Sequence, residues 1–250
     1  MAVVCCAVGV LLGFVGAGGA GVMVSLLNLG FHLPIHEAVG TSLAAMFFVT
    51  LSGTISHYRE GNTNVRAGIM IGVAGIVGAV AGADVGQSIP EHILQPMAGF
   101  ALWFLALLVY LRARISARAT SPEFDPAHAV PTTRQNVGAV ALGISGGVAS
   151  AFFGVGMTPW IQLGTLTILK LPLIKTIGTT MLALIFISLS GSVALARHGD
   201  VSVPHLIGAT IGMTIGSYVG AKFTRRAPLW LLRGAIVLTP FTAGTLLIFF

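Results

Sequence analysis

Charge is what this chain has least of. Of its 250 residues only 8% are Asp, Glu, Lys or Arg, and 55% are hydrophobic, whereas an ordinary soluble domain carries about 25% charged residues. The apolar residues run the whole length, with a mean hydropathy of +0.95, so a water-soluble globular protein is excluded and one integral membrane domain over 1–250 is expected. Cysteine is also scarce. Cys5 and Cys6 are adjacent in an apolar stretch and lack the spacing of a metal or redox pair, which leaves them as small apolar filler. No Lys or Arg follows Met1 in the first apolar segment, so the basic start of a secretory signal is missing and that segment is expected to stay in the mature protein. Neither H-E-x-x-H nor G-x-x-x-x-G-K-[ST] occurs; the chain reads as no enzyme, and any pumping draws on a gradient.

What is present is apolar runs bounded by charges. A bilayer core about 30 Å thick needs roughly 20 apolar residues per helix, and eight segments meet that test, near 2–31, 36–58, 66–88, 93–111, 135–169, 173–196, 203–221 and 229–250. The polar stretch 112–134 halves the chain and is too short to fold alone. The first and fifth segments are long and interrupted by glycine, at Gly13 to Gly21 and at Gly146 to Gly156. Shifting the sequence by 138 positions superposes Leu33-Pro34 on Leu171-Pro172, Gly40-Thr41 on Gly178-Thr179, Leu51-Ser52-Gly53 on Leu189-Ser190-Gly191 and Gly82-Ala83 on Gly220-Ala221. The chain is thus a duplicated four-segment unit, with repeat 1 at 1–111, the polar loop at 112–134 and repeat 2 at 135–250.

The thirteen Lys and Arg discriminate between orientations, because cytoplasmic loops hold the basic residues. Eight full crossings, the alternative architecture, split them seven against six. Re-entrant hairpins at the glycine breaks leave three crossings per repeat and turn the second copy upside down. Twelve charges then share one side and only Arg197 lies opposite. The expected fold is all-α, two inverted repeats each made of a glycine-broken hairpin and three transmembrane helices, with loop 112–134 cytoplasmic. A net charge of +6 is accounted for by this topology, and nucleic acid is not expected as a partner.

Non-helical backbone at membrane depth is tolerated only inside protein or against a water-filled cavity, and broken helices in inverted-repeat transporters are where solute binds. Gly16, Gly18, Gly19 and Gly21, with Gly154 and Gly156, are therefore candidate cradles for a small anion, which exposed N–H groups at a helix start favour. Thr41, Ser42, Thr179 and Thr180 add hydroxyls at the start of the span after each break. Gly72, Gly75 and Gly78 read instead as helix-packing positions. His57, Arg59 and Arg66 form a basic mouth that would gather anions or gate their entry. Asp84 is a candidate for proton coupling or a marker of the membrane surface. His32, His36, Glu37 and His92 lack a metal-ligand spacing, and neither metal nor cofactor is expected.

These residues carry a resemblance. The break followed by Leu33-Pro34, Ala38-Val39-Gly40-Thr41-Ser42-Leu43, Leu51-Ser52-Gly53 and His57-Tyr58-Arg59-Glu60-Gly61-Asn62, with Thr176-Ile177-Gly178-Thr179-Thr180 and Arg197-His198-Gly199-Asp200 in the second copy, resembles the TauE/SafE family of sulfite exporters. The resemblance implies a multi-pass permease of a prokaryotic inner membrane. It would export a small sulfur-containing anion, sulfite or an organosulfonate such as sulfoacetate, by alternating access; an anion channel and an uptake permease for a related sulfur compound are the alternatives. The substrate is the implied partner, beside the lipid bilayer, and the oligomeric state, a homodimer included, stays open. The family tends to have three consecutive glycines in each break, whereas here the first reads Gly18-Gly19-Ala20 and the second Gly156-Met157-Thr158-Pro159; if only one half keeps a full cradle, the site is asymmetric.

Overall fold

The computed structural model describes residues 2–15, 20–118, 133–224 and 229–249, with side chains at 4–10, 21–111, 133–172, 174–216 and 238–249. The protein is an all-helical integral membrane protein. Its helices are α1 (Ala2–Val15), α2 (Ala20–Ser25, continued by a π turn at Leu26–Gly30), α3 (Ile35–Arg59), α4 (Val65–Gln87), α5 (Glu91–Arg118), α6 (Thr133–Phe153), α7 (Thr158–Thr167), α8 (Leu173–Arg197), α9 (Val203–Thr224) and α10 (Leu229–Phe249). Among the described residues there is no strand, and α3, α4, α5, α6 and α8 are long and apolar enough to cross a membrane. The fifth expected segment is split by its glycines into α6 and α7; residues 16–19 of the first lie outside the described residues. Helix α5 runs on to Arg118, past the expected start of the polar loop. Its last residues, Arg112 to Arg118, include good helix formers, and nothing obliges a helix to end where its apolar stretch does.

Helix boundaries recur at the offset read from sequence. Helices α3 and α8 begin at Ile35 and Leu173 and end at Arg59 and Arg197, and α2 and α7 begin at Ala20 and Thr158. The turns between them are built alike as well. Among the described residues, His32 and Lys170 are the two non-glycine residues with positive φ, at 54° and 51°. The N–H of Leu33 donates to Leu27 and that of Leu171 to Thr165, and Pro34 and Pro172 then open the following helix with φ near −50°. Proline fixes that angle and needs no N–H partner at a helix start. Gly61 and Gly199 close α3 and α8 in the left-handed region that glycine tolerates.

Packing follows the glycines. Helix α4 lies along α6, and α1 lies along α9 in the equivalent way. A β-carbon at Gly78 would collide with the carbonyl of Ile144, one at Gly82 with that of Val148, and one at Gly147 with that of Gly75. Backbone therefore rests on backbone, the close approach by which membrane helices gain dispersion energy without a hydrophobic drive. Gly72 meets Phe186 and Gly75 meets Ile187 on α8, so Gly72, Gly75 and Gly78 are packing positions. Matching contacts rise together along α4, α6 and α8, which run parallel. Helix α3 runs antiparallel to α8: Gly53 meets Met181, whereas Leu43 meets Gly191.

Gly78→Leu should force α4 off α6 and cost about 3 kcal/mol by overpacking, whereas Val77→Leu, at a position 66% exposed on the outer surface, should change little. Thermal unfolding of the purified protein in detergent measures both; equal melting temperatures would contradict this packing.

Candidate functional site

The second break is built from glycine dihedrals. Gly154 and Gly156 have φ of 68° and 55°, conformations costly for any residue with a β-carbon. They turn the chain so that α7 returns alongside α6. Ile161 packs on Gly146, Leu142 on Gly164, and Ile168 on Gly138 near the start of α6. Segment five is thus an antiparallel hairpin whose two ends lie at the same end of the helix assembly. The residues Gly154 to Pro159 are all buried. A β-carbon at Gly154 would press on Val24 of α2 and on the Val39 backbone of α3, and one at Gly21 would strike Leu102 and Val155. The two breaks therefore approach each other through Gly21, Val24, Gly154 and Val155. Gly16, Gly18 and Gly19 lie outside the described residues.

The Thr158 hydroxyl donates to the Gly156 carbonyl at 2.7 Å, while Met157, at the helix start, supplies no side-chain cap. Pro159 stands in the first turn, where its missing N–H removes one donor that a solute would otherwise meet. Buried polar atoms without partners are Ser150 Oγ on α6 and Gln162 Oε1 on α7, close to this turn, and Thr180 Oγ1 in the first turns of α8 toward the other end. Such groups are rare, since leaving one unpaired costs about 1–3 kcal/mol. Ser150 lies one turn beyond Gly146, on the side of α6 that faces the hairpin's inner packing. Gln162 follows Thr158 by one turn of α7, and Gln162 is 2% exposed.

The four hydroxyl residues are placed symmetrically. Thr41, Ser42, Thr179 and Thr180 are all buried in the first turns of α3 and α8. Thr41 Oγ1 accepts from the N–H of Ser202 at 3.0 Å, and Thr179 Oγ1 accepts from that of Asn64 at 3.0 Å. Each threonine thus satisfies the chain entering the next helix of the opposite repeat. The neighbouring glycines make the approach possible, because a β-carbon at Gly40 would strike the Asp200 carbonyl and one at Gly178 that of Asn62. These exchanged contacts place the α3–α4 turn beside the start of α8 and the α8–α9 turn beside the start of α3.

The remaining candidates are at the two ends. His57 is half-buried with Nδ1 unpartnered, and its β-carbon adjoins Gly178; Arg59 and Arg66 are exposed around it. Arg134, Lys170 and Lys175 share that end through the starts of α6 and α8. Asp84 is exposed in the last turn of α4, 3.5 Å from His198, at the opposite end with Arg197, Glu37 and Glu91. At that end Gln87 donates to the Asp200 carboxylate.

Two features escaped the reading of the sequence. Gln162 is a single polar letter in an apolar segment, and only its place one turn after Thr158 hinted at it. Gly143-Ile144-Ser145-Gly146-Gly147 spells the nucleophile-elbow pattern G-x-S-x-G, which needs a sharp strand-to-helix turn; here it lies inside α6, with the Ser145 hydroxyl donating to the Ala141 carbonyl at 2.7 Å.

Thr41→Val should leave the Ser202 N–H without its acceptor and destabilise by about 1–3 kcal/mol, while Thr41→Ser retains the bond. A detergent melting curve in which both variants match the parent would show that the hydrogen bond contributes nothing.

Known proteins resemble this chain along most of its length. The family described as Sulfite exporter TauE/SafE matches residues 1–247. The chain is 41% identical over 241 residues to the probable membrane transporter protein YdhB of Bacillus subtilis (strain 168), covering 96% of each. It is 28% identical over 223 residues to a probable membrane transporter protein of Xylella fastidiosa (strain 9a5c), covering 87% of this chain and 82% of that one. No solved structure matches it. Matched along nearly its whole length, and with helices fit to cross a bilayer several times, the chain belongs to the TauE/SafE family and is a multi-pass membrane transporter.

Proposed function

We propose that this transporter exports a small sulfur-containing anion, sulfite or an organosulfonate such as sulfoacetate, from the cytoplasm by alternating access between two inverted repeats. The observation that carries the reading is the second hairpin. Its buried glycine turn presses on the first repeat while Ser150 and Gln162 beside it keep polar atoms unpaired. A hydroxyl and an amide can bind an oxyanion by hydrogen bonds without the strong charge that would trap it. Gly154 and Gly156 let backbone approach the solute, and Thr180 lines the route toward the basic end. Gly16, Gly18, Gly19 and Gly21 are assigned the corresponding role in the first hairpin, and Ser42 that of Thr180.

The basic end, with His57, Arg59 and Arg66, is assigned to the cytoplasm together with loop 112–134, in a prokaryotic inner membrane. Anions gathered there are favoured outward by a potential negative inside, at about 2.3 kcal/mol per charge per 100 mV. Uniport then suffices, and Asp84, exposed beside His198, is not required to carry a proton. Antiparallel α3 and α8, each accepting a hydrogen bond from the turn that follows the other, support the inverted arrangement.

Reconstituted into liposomes, the protein should carry sulfite or sulfoacetate with saturable kinetics, and Gln162→Leu should slow that flux at least tenfold while leaving a monodisperse, folded protein. Flux that rises linearly with concentration would indicate a channel, and parental flux in Gln162→Leu would remove the hairpin from the solute path.

A further inference from the structure

We infer that the transported form of the cargo carries a single negative charge, as hydrogen sulfite or a sulfonate does, and that doubly charged oxoanions are refused. The inference rests on the anion-export reading above and narrows it to a charge state: hydrogen sulfite and sulfonates with no second ionised group are admitted, and sulfoacetate is refused while its carboxylate is ionised. Its ground is the composition of the interior. Among the described residues the buried polar side chains are Ser, Thr and one Gln, Gln162, with no Lys, Arg, His, Asp or Glu.

Among the described residues the Lys, Arg, His, Asp and Glu side chains stand toward the ends of the helices. Ala151 adjoins Gly191, which is 16 residues beyond Lys175 on α8, about 24 Å at 1.5 Å per residue. Arg197 is exposed in the last turn of α8 at the opposite end. An ion beside the second break therefore meets hydroxyls, an amide and the start of α7, whose dipole supplies about half a unit of positive charge; toward the opposite end it lies about 9 Å from the level of Arg197, six residues beyond Gly191, with His36 bonded to the Gly86 carbonyl beside Phe152. The Born cost of leaving water grows as the square of the charge, so a dianion pays about four times what a monoanion does, with no buried cation among the described residues to offset it.

Donor and acceptor chemistry agrees with the charge argument. Gln162 Oε1 is buried without a donor, and it is an acceptor only. Hydrogen sulfite brings a proton that such a carbonyl can receive. A sulfonate and a dianion both offer acceptors alone, and of the two the dianion sets twice the charge against that oxygen. Ser150 Oγ can donate to either species, so the discrimination falls to the net charge and to the amide.

The test uses the full-length protein in liposomes, with protein-free liposomes as the blank for leakage. Initial rates are measured for sulfite, methanesulfonate and sulfate while the pH, equal on both sides, is raised through the second ionisation of sulfite. Sulfite flux should fall about tenfold per pH unit above that ionisation, methanesulfonate flux should stay level, and sulfate flux should remain at the blank. Sulfite flux that holds or rises over that range, or sulfate carried at a comparable rate, overturns the inference and leaves anion export standing. Absence of flux for both sulfite and methanesulfonate at every pH overturns the export reading and this inference with it.

Discussion

A lipid bilayer offers no hydrogen bonds, so every backbone N–H and C=O inside it must find a partner within the protein. A helix broken at Gly154–Met157 violates that condition unless other helices enclose it. Enclosure here depends on close packing. Helices α4 and α6 touch backbone to backbone through Gly78, Gly82, Gly143 and Gly147, which brings the hairpin against α2 and α3 and keeps its turn out of lipid. The same requirement explains the threonines: Thr41 and Thr179 supply acceptors to backbone N–H groups that would otherwise be orphaned where one repeat's turn meets the other's helix.

Much of this was legible in the sequence, for identifiable reasons. Helices such as α3, α4 and α8 are bounded by charges that cannot be buried, so their limits nearly coincide with the apolar runs. The offset between Leu33-Pro34 and Leu171-Pro172 reappears as matching turn geometry, down to positive φ at His32 and Lys170 two residues before each proline, because proline fixes its own φ and restricts the leucine before it. Gly72, Gly75 and Gly78 were readable as packing positions by their helical spacing alone.

Other features depend on distance in space and were not readable. Nothing near Thr41 announces that its hydroxyl meets the N–H of Ser202, 161 residues away. Gln162 has no local pattern that marks it as a buried amide without a partner. The end of α5 at Arg118 lies beyond its apolar part, where hydropathy gives no signal. An interior that is polar yet uncharged is a property of the assembled bundle, since the same serines and threonines facing lipid would bond to their own helix and carry no further meaning.

The central claim is that the second hairpin enters and leaves on one face of the membrane, so that the two repeats are inverted. Single cysteines introduced into a variant lacking Cys5 and Cys6, one at a time as Arg59→Cys, Lys170→Cys and Arg197→Cys, and probed in intact cells and in inverted vesicles with a membrane-impermeant maleimide, test this directly. The account predicts that positions 59 and 170 react only from the cytoplasmic face and position 197 only from the opposite one. Labelling of positions 59 and 170 from different faces would contradict it.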